Sequence, residues 1–127
     1  MNTYVEQMIL AASPMELVRL MYGQAIVAVK DARGHLSRKQ VLERSKAVMR
    51  AYGILSELLT SLREEEAPEM TIRLRNLYLY MQGLLLKANC EQVDEPLAEA
   101  LGLLTTLADA WKRVPDINWQ ESAANAA

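Results

Sequence analysis

One cysteine, one histidine and no phenylalanine occur in this chain. The single thiol, Cys90, allows no disulfide within the chain and no paired-cysteine metal or redox motif. That usage fits a reducing compartment. With His35 as the only histidine, neither a Cys/His zinc site nor the two Glu-x-x-His pairs of a di-metal bundle can be assembled, and Ala32 precedes His35 by three. Glycine and proline number only five and four, and no glycine-rich phosphate loop is among them. No apolar run reaches membrane-spanning length; Leu84-Leu85-Leu86 is bounded by Gly83 and Lys87. The formal charge of -2 carries no basic excess for nucleic acid. Met1-Asn2-Thr3 has no basic residue and Glu6 interrupts the apolar stretch behind it, unlike a secretory signal. The expectation is a cytoplasmic protein with no metal, no nucleic-acid partner and no membrane insertion.

What the chain does have is aliphatic periodicity. Apolar residues make up 51% and charged residues 24% of 127 residues, which is the balance of one globular domain able to bury a core without cross-links. Ser13-Pro14-Met15-Glu16 reads as a capping box: Ser13 accepts from the Glu16 amide, Pro14 suits the first helical position and Glu16 reaches back. Leu17, Met21, Ala25, Ala28 and Ala32 then share one helical face, broadened by Leu20, Ile26 and Val27, to an end near Gly34-His35. Ser37 to Gln40 offers a second capping box. Val41, Val48, Tyr52, Leu55, Leu59 and Leu62 mark the second helix with bundle spacing, before Glu64-Glu65-Glu66 and the break at Ala67-Pro68.

A third helix is expected over 69–91, with Leu74, Leu77, Tyr78, Met81, Leu85 and Ala88 on one face. Ile72, Leu79 and Leu86 recur every seven residues on another. Two apolar faces mean a central helix or one that lends a surface to a partner. Tyr78 and Tyr80 stand about 200° apart on a helix, so only one of them can face the core. Asp94 is placed to cap a fourth helix, with Glu95 and Pro96 in its first turn and Leu97, Leu101, Leu104, Ala108 and Trp111 as its stripe; Pro115 stops it. The fold expected is all-α, an antiparallel up-and-down four-helix bundle, as one domain over 1–127: a lead over 1–12, a bundle over 13–114 and a flexible tail over 115–127.

Convergent polar groups of the kind an enzyme needs are missing. Cys90 and His35 have nothing in the sequence that brings them together. One bundle chemistry needs only one histidine: phosphotransfer, in which an exposed mid-helix histidine is followed three residues later by a basic residue. His35-Leu36-Ser37-Arg38 has that offset, but Gly34 and the following capping signal place His35 at a helix end. The acidic run at 64–66 reads as a solvated helix end.

Three blocks carry a family resemblance. Tyr4 to Ile26 reads YVEQMILAASPMELVRLMYGQAI, with a Tyr, a short apolar segment, an Ala-Ser-Pro cap, a Glu-Leu helix start and then Tyr-x-x-Ala-Ile. Asn76-Leu77-Tyr78-Leu79-Tyr80-Met81 is followed by Leu85 and Ala88-Asn89, and LTTLADAWK closes the series at Leu104 to Lys112. In this order and spacing they resemble the FliS family of flagellar export chaperones over nearly the whole chain. Gly23-Gln24 and Ala67-Pro68-Glu69-Met70-Thr71 depart from the family pattern at a surface and a turn. The resemblance implies an antiparallel helical bundle that binds the disordered C-terminal segment of flagellin, prevents premature polymerisation, and docks at the export gate. It implies no cofactor, no nucleotide and no catalysis.

An amphipathic client needs an apolar groove with pockets at i, i+3 and i+4. The expected groove is Leu17, Met21 and Tyr22 from the first helix with Ile72, Leu79, Tyr80 and Leu86 from the third. Met8, Met21 and Met81 suit such a surface because thioether side chains repack readily. Tyr4, Val5, Met8 and Ile9 are expected to fold over it as a lid. Leu77 is expected to serve stability and Tyr80 the client. Two other readings remain open: the phosphotransfer bundle, and a bundle whose spare apolar face serves only self-association. The oligomeric state expected is a monomer or weak homodimer.

Overall fold

In the computed structural model the described residues are Thr3, 13–63 and 65–114. The lid residues Tyr4, Val5, Met8 and Ile9, residue 64 and the tail from 115 lie outside them. Among the described residues run four long helices, α1 (Pro14–Ser37), α2 (Val41–Thr60), α3 (Pro68–Glu91) and α4 (Glu95–Arg113). No strand occurs among the described residues. Consecutive helices pack side by side, and α4 closes the ring against α1, so α1 and α3 stand on one diagonal. Short antiparallel connections produce this up-and-down order.

Local chemistry accounts for most of the helix starts. At α1 the expected capping box is present in both directions: Glu16 N donates to Ser13 Oγ at 3.2 Å, and Ser13 N donates to Glu16 Oε2 at 3.3 Å. Prolines stand in the first turns of α1, α3 and α4, where no amide donor is needed. The first helix continues past Gly34-His35 to Ser37. The expected second capping box therefore does not form. Ser37 is still helical and its hydroxyl donates back to the Gly34 carbonyl at 2.8 Å. The reversal is made instead by Lys39, held at φ 58°. Gln92 at φ 57° makes the corresponding turn after α3. Non-glycine residues adopt this left-handed region at about 1 kcal/mol each.

The core explains how closely the helices approach. Ala25, Ala28 and Ala32 of α1 and Ala47 and Ala51 of α2 are fully buried, as are Ala88 and Ala100 on the other pair. Small side chains at these steps let helix axes come together, and Leu55, Leu58, Leu85, Leu97 and Leu104 fill the space between. Each such leucine contributes about 1.5–3 kcal/mol by leaving water. The diagonal is bridged by two tyrosines. Tyr22 and Tyr78 are 1% and 2% exposed, and their hydroxyls share a 2.6 Å hydrogen bond. Trp111 of α4 tilts against Tyr22 with ring centres 6.5 Å apart.

Three further expectations are corrected by the packing. The α2 stripe does not begin at Val41, which is exposed; Arg44 occupies that inward position instead. Its guanidinium donates to Asn89 Oδ1, Gln92 Oε1 and the Asn89 carbonyl, and so closes the C-terminal end of α3. Asp94 precedes α4 without capping it, because its carboxylate is held by Arg33 in a two-pronged pair, 2.8 Å on each arm. Leu77 is half-buried and lies outside the central cluster. At the far end of the bundle Arg19 donates to the carbonyls of Trp111 and Val114, satisfying the last turn of α4.

Candidate functional site

The side of α3 that meets α2 is polar and directional. Gln82 donates to the Tyr52 carbonyl at 3.2 Å and to Ser56 Oγ at 2.9 Å. Ser45 donates to Asn89 Oδ1 at 3.2 Å, and Thr71 to the Arg63 carbonyl at 3.2 Å. These contacts set the antiparallel register of the two helices. Carried along the pair, that register places Met49 level with Leu86 and Ser56 level with Leu79. On α2, Ser45, Met49, Tyr52 and Ser56 follow steps of four, three and four, which keeps them on one edge.

Beside this seam runs the second apolar row of α3. Ile72, Leu79 and Leu86 are 50%, 51% and 45% exposed, and Met49 is 52% exposed across the seam. A row repeating every seven residues is the spacing that receives the knobs of another helix. Nothing among the described residues covers it. Tyr52 is half-buried at the base of this face, and Cys90 stands exposed one turn beyond Leu86.

The remaining residues expected in the groove are distributed differently. Tyr80 is exposed as expected, but it leans the other way: its hydroxyl donates to Glu99 of α4. That hydrogen bond to a carboxylate raises the Tyr80 phenol above its ordinary range, with a smaller push from desolvation. Leu17 and Met21 are half-buried at the start of α1, on the diagonal helix, and do not join the α3 row. Tyr22 is inside the bundle, so it serves the core rather than an open groove. Burial raises its phenol and that of Tyr78; the Tyr78 hydroxyl and the Trp111 indole oppose the rise at Tyr22. Met81 is fully buried against the same core. Met49 was missed by reading α2 from Val41; its position four residues after Ser45 and three before Tyr52 was the available signal.

The titratable groups His35 and Asp94, near the end of α1, are engaged in local structure. His35 sits in the last turn of α1, with Nδ1 2.7 Å from Gln40 Oε1. That is a helix-end position, unlike the mid-helix exposure that phosphotransfer uses. A cleft of about 460 Å³ opens near it, lined by Lys30, Arg33, Gly34, Leu36, Ser37 and Asp94. The Arg33 guanidinium holds the Asp94 carboxyl below its usual range, so these two charges neutralise each other and Lys30 is the third charged group of the lining. Among the described residues, no group of three or more His, Cys, Asp or Glu side chains is placed to hold a metal ion, and no helix is long and apolar enough to cross a membrane.

Comparison with known proteins matches this chain to one family. The family model described as "Flagellar protein FliS" matches residues 1–118. The flagellar secretion chaperone FliS of Salmonella typhimurium is 33% identical over 120 residues, covering 93% of this chain and 89% of that protein. The flagellar secretion chaperone FliSB of Pseudomonas aeruginosa is 29% identical over 107 residues, covering 84% and 85%. FliS of Bacillus subtilis is 26% identical over 112 residues, covering 88% and 83%.

Proposed function

This chain belongs to the FliS family of flagellar proteins, and on that premise we propose that it is a cytoplasmic chaperone that binds the disordered C-terminal segment of flagellin. The client segment folds into helix as it docks, is kept from polymerising, and is passed to the export apparatus. The observation that carries this reading is the half-exposed row Ile72, Leu79 and Leu86, standing beside Met49 on a helix whose opposite side is already packed. Monomeric proteins rarely leave so regular an apolar row in water without a partner for it. Side chains at seven-residue steps suit a helix in a groove, and a thioether at the edge adapts to varied client side chains. The protein supplies a surface and no chemistry: it needs neither cofactor nor catalytic group.

The test is isothermal titration with a C-terminal flagellin peptide beside a scrambled peptide of the same composition. Saturable binding of the native peptide alone is expected, with a large negative heat-capacity change from burying roughly 1,000–3,000 Å² as the client folds. Equal heats from both peptides, or none from a well-folded sample, would remove the reading. Sedimentation in the same buffer addresses self-association: a stable dimer that masks the row and ignores the peptide would favour a purely homo-oligomeric role.

A further inference from the structure

The last two turns of α1 carry a polar face that client docking does not use. Lys30, Arg33, Gly34 and Ser37 follow at steps of three, one and three, within about 100° of the helix circumference. Asp94, just before α4, stands opposite Arg33, so the turn of α1 beyond Arg33 has no α4 residue beside it. That overhang leaves the cleft of about 460 Å³, whose lining these four residues share with Leu36 and Asp94. Leu36 is half-buried against the core and supplies an apolar floor. Gly34 has no side chain to fill the opening, and the Arg38 guanidinium packs beside it: a Cβ at Gly34 would stand 3.2 Å from Arg38 Nη1. The charges around the cleft are unequal. Asp94 is matched by two arms of Arg33, and neighbouring Asp31 pairs with Arg50. Lys30 is exposed and forms no ion pair among the described residues.

We propose that this cleft binds a monocarboxylate with a small apolar body. The inference is independent of the chaperone reading. The carboxylate lies between the Lys30 ammonium and the Arg33 guanidinium, which has Nη1 left to donate while Nε and Nη2 hold Asp94. The apolar body lies over Leu36 and the aliphatic stem of Lys30. A single negative charge matches the one uncompensated cation of the lining. A dianion would instead meet the Asp94 carboxylate and the carbonyl end of α1, both of which repel it. An uncharged ligand would gain only the apolar contact. The volume lies in the lower part of the range for small-molecule sites, roughly 300–1,000 Å³. A free acid and the carboxylate at the end of a peptide present the same chemistry here.

The probe is benzoate, titrated into the isotope-labelled full chain while backbone amide shifts are followed, with benzamide and inorganic phosphate as comparisons. Benzoate is expected to give saturable shifts at residues 30–37 and 94, with a Kd of about 1 mM for so open a site. Benzamide and phosphate are expected to bind about fivefold more weakly or not at all. Lys30→Met keeps the stem and removes the charge, and is expected to weaken benzoate about fivefold while urea unfolding is unchanged. Asp94→Asn, shown to be folded by circular dichroism, removes the repelling charge and is expected to tighten benzoate and to admit phosphate. A short peptide ending in Phe and its amidated form separate the two sources. Tighter binding of the free-ended peptide than of benzoate, lost on amidation, assigns the site to a chain terminus, and weaker binding assigns it to a free acid. Equal binding of benzoate and benzamide, phosphate binding as tight as benzoate, shifts scattered away from the cleft, or an unchanged Kd in folded Lys30→Met would overturn the inference.

Discussion

Replacing Tyr22 with Phe should destabilise the bundle more than replacing Tyr78, although the two side chains share one hydrogen bond. The bond is 2.6 Å long and both rings are almost wholly buried. Tyr22→Phe removes its net contribution of about 1 kcal/mol and leaves the Tyr78 phenol in the core without this partner, at a further 1–3 kcal/mol or so. Tyr78→Phe removes the same bond, but the Tyr22 hydroxyl still has the Trp111 indole beside it, so about 1–2 kcal/mol is expected. In the double variant no phenol is stranded at this point. Its loss should therefore fall short of the sum of the two single losses by at least about 2 kcal/mol. Urea unfolding followed by far-ultraviolet circular dichroism gives the four free energies, and thermal melts should move by roughly 4 °C for each kcal/mol. Losses that add within about 0.5 kcal/mol, with equal single variants, would refute the claim that the two hydroxyls depend on each other.

Leu85→Ala should lower stability by about 2–5 kcal/mol, because it empties a fully buried site; Leu79→Ala should stay within about 0.5 kcal/mol of wild type in urea unfolding yet weaken client binding in titration. Arg44→Ala should lower stability by about 2–3 kcal/mol, since it strips three hydrogen bonds from the end of α3; hydrogen exchange should quicken first at the amides of residues 88–93. Alkali should unfold the protein through Tyr22 and Tyr78. Burial raises both phenols, so the fold keeps protons that an unfolded chain would release above about pH 10. The stabilisation is complete below that value and is lost as pH rises beyond it. Tyrosinate absorbance from this pair should appear together with the loss of helical dichroism, and a smooth titration with helices intact would contradict the burial argument.

Short-range chemistry was the most legible part of the sequence. The Ser13/Glu16 box is complete within four residues, and the fold realises it in full. The 200° separation of Tyr78 and Tyr80 likewise follows from helix geometry alone, and one ring is buried while the other is exposed. Some errors arose where a distant residue competed for a side chain. Asp94 resembles a cap until Arg33, 61 residues away, takes its carboxylate. Ser37 to Gln40 has the composition of a cap, but α1 retains Ser37 and the left-handed Lys39 makes the turn. Arg44 hid the phase of α2, because a charged residue on an inward position is recognisable only beside Asn89 and Gln92. Tyr22 and Met81 could not be told from surface residues in one dimension, where apolar character is the same for a core and for a docking face.

The contacts made by Tyr78, Gln82 and Asn89 have a consequence for how α3 can fail. Two apolar rows, on sides of the helix roughly a quarter-turn apart, give burial alone little reason to prefer one inward orientation over the other. Hydrogen bonds from these three side chains have fixed directions, so they act as detents against axial rotation of the helix. Weakening them need not melt α3. It would let the helix roll within a bundle that keeps its helical content at reduced stability, drawing Leu79 inward and withdrawing the exposed row from the surface.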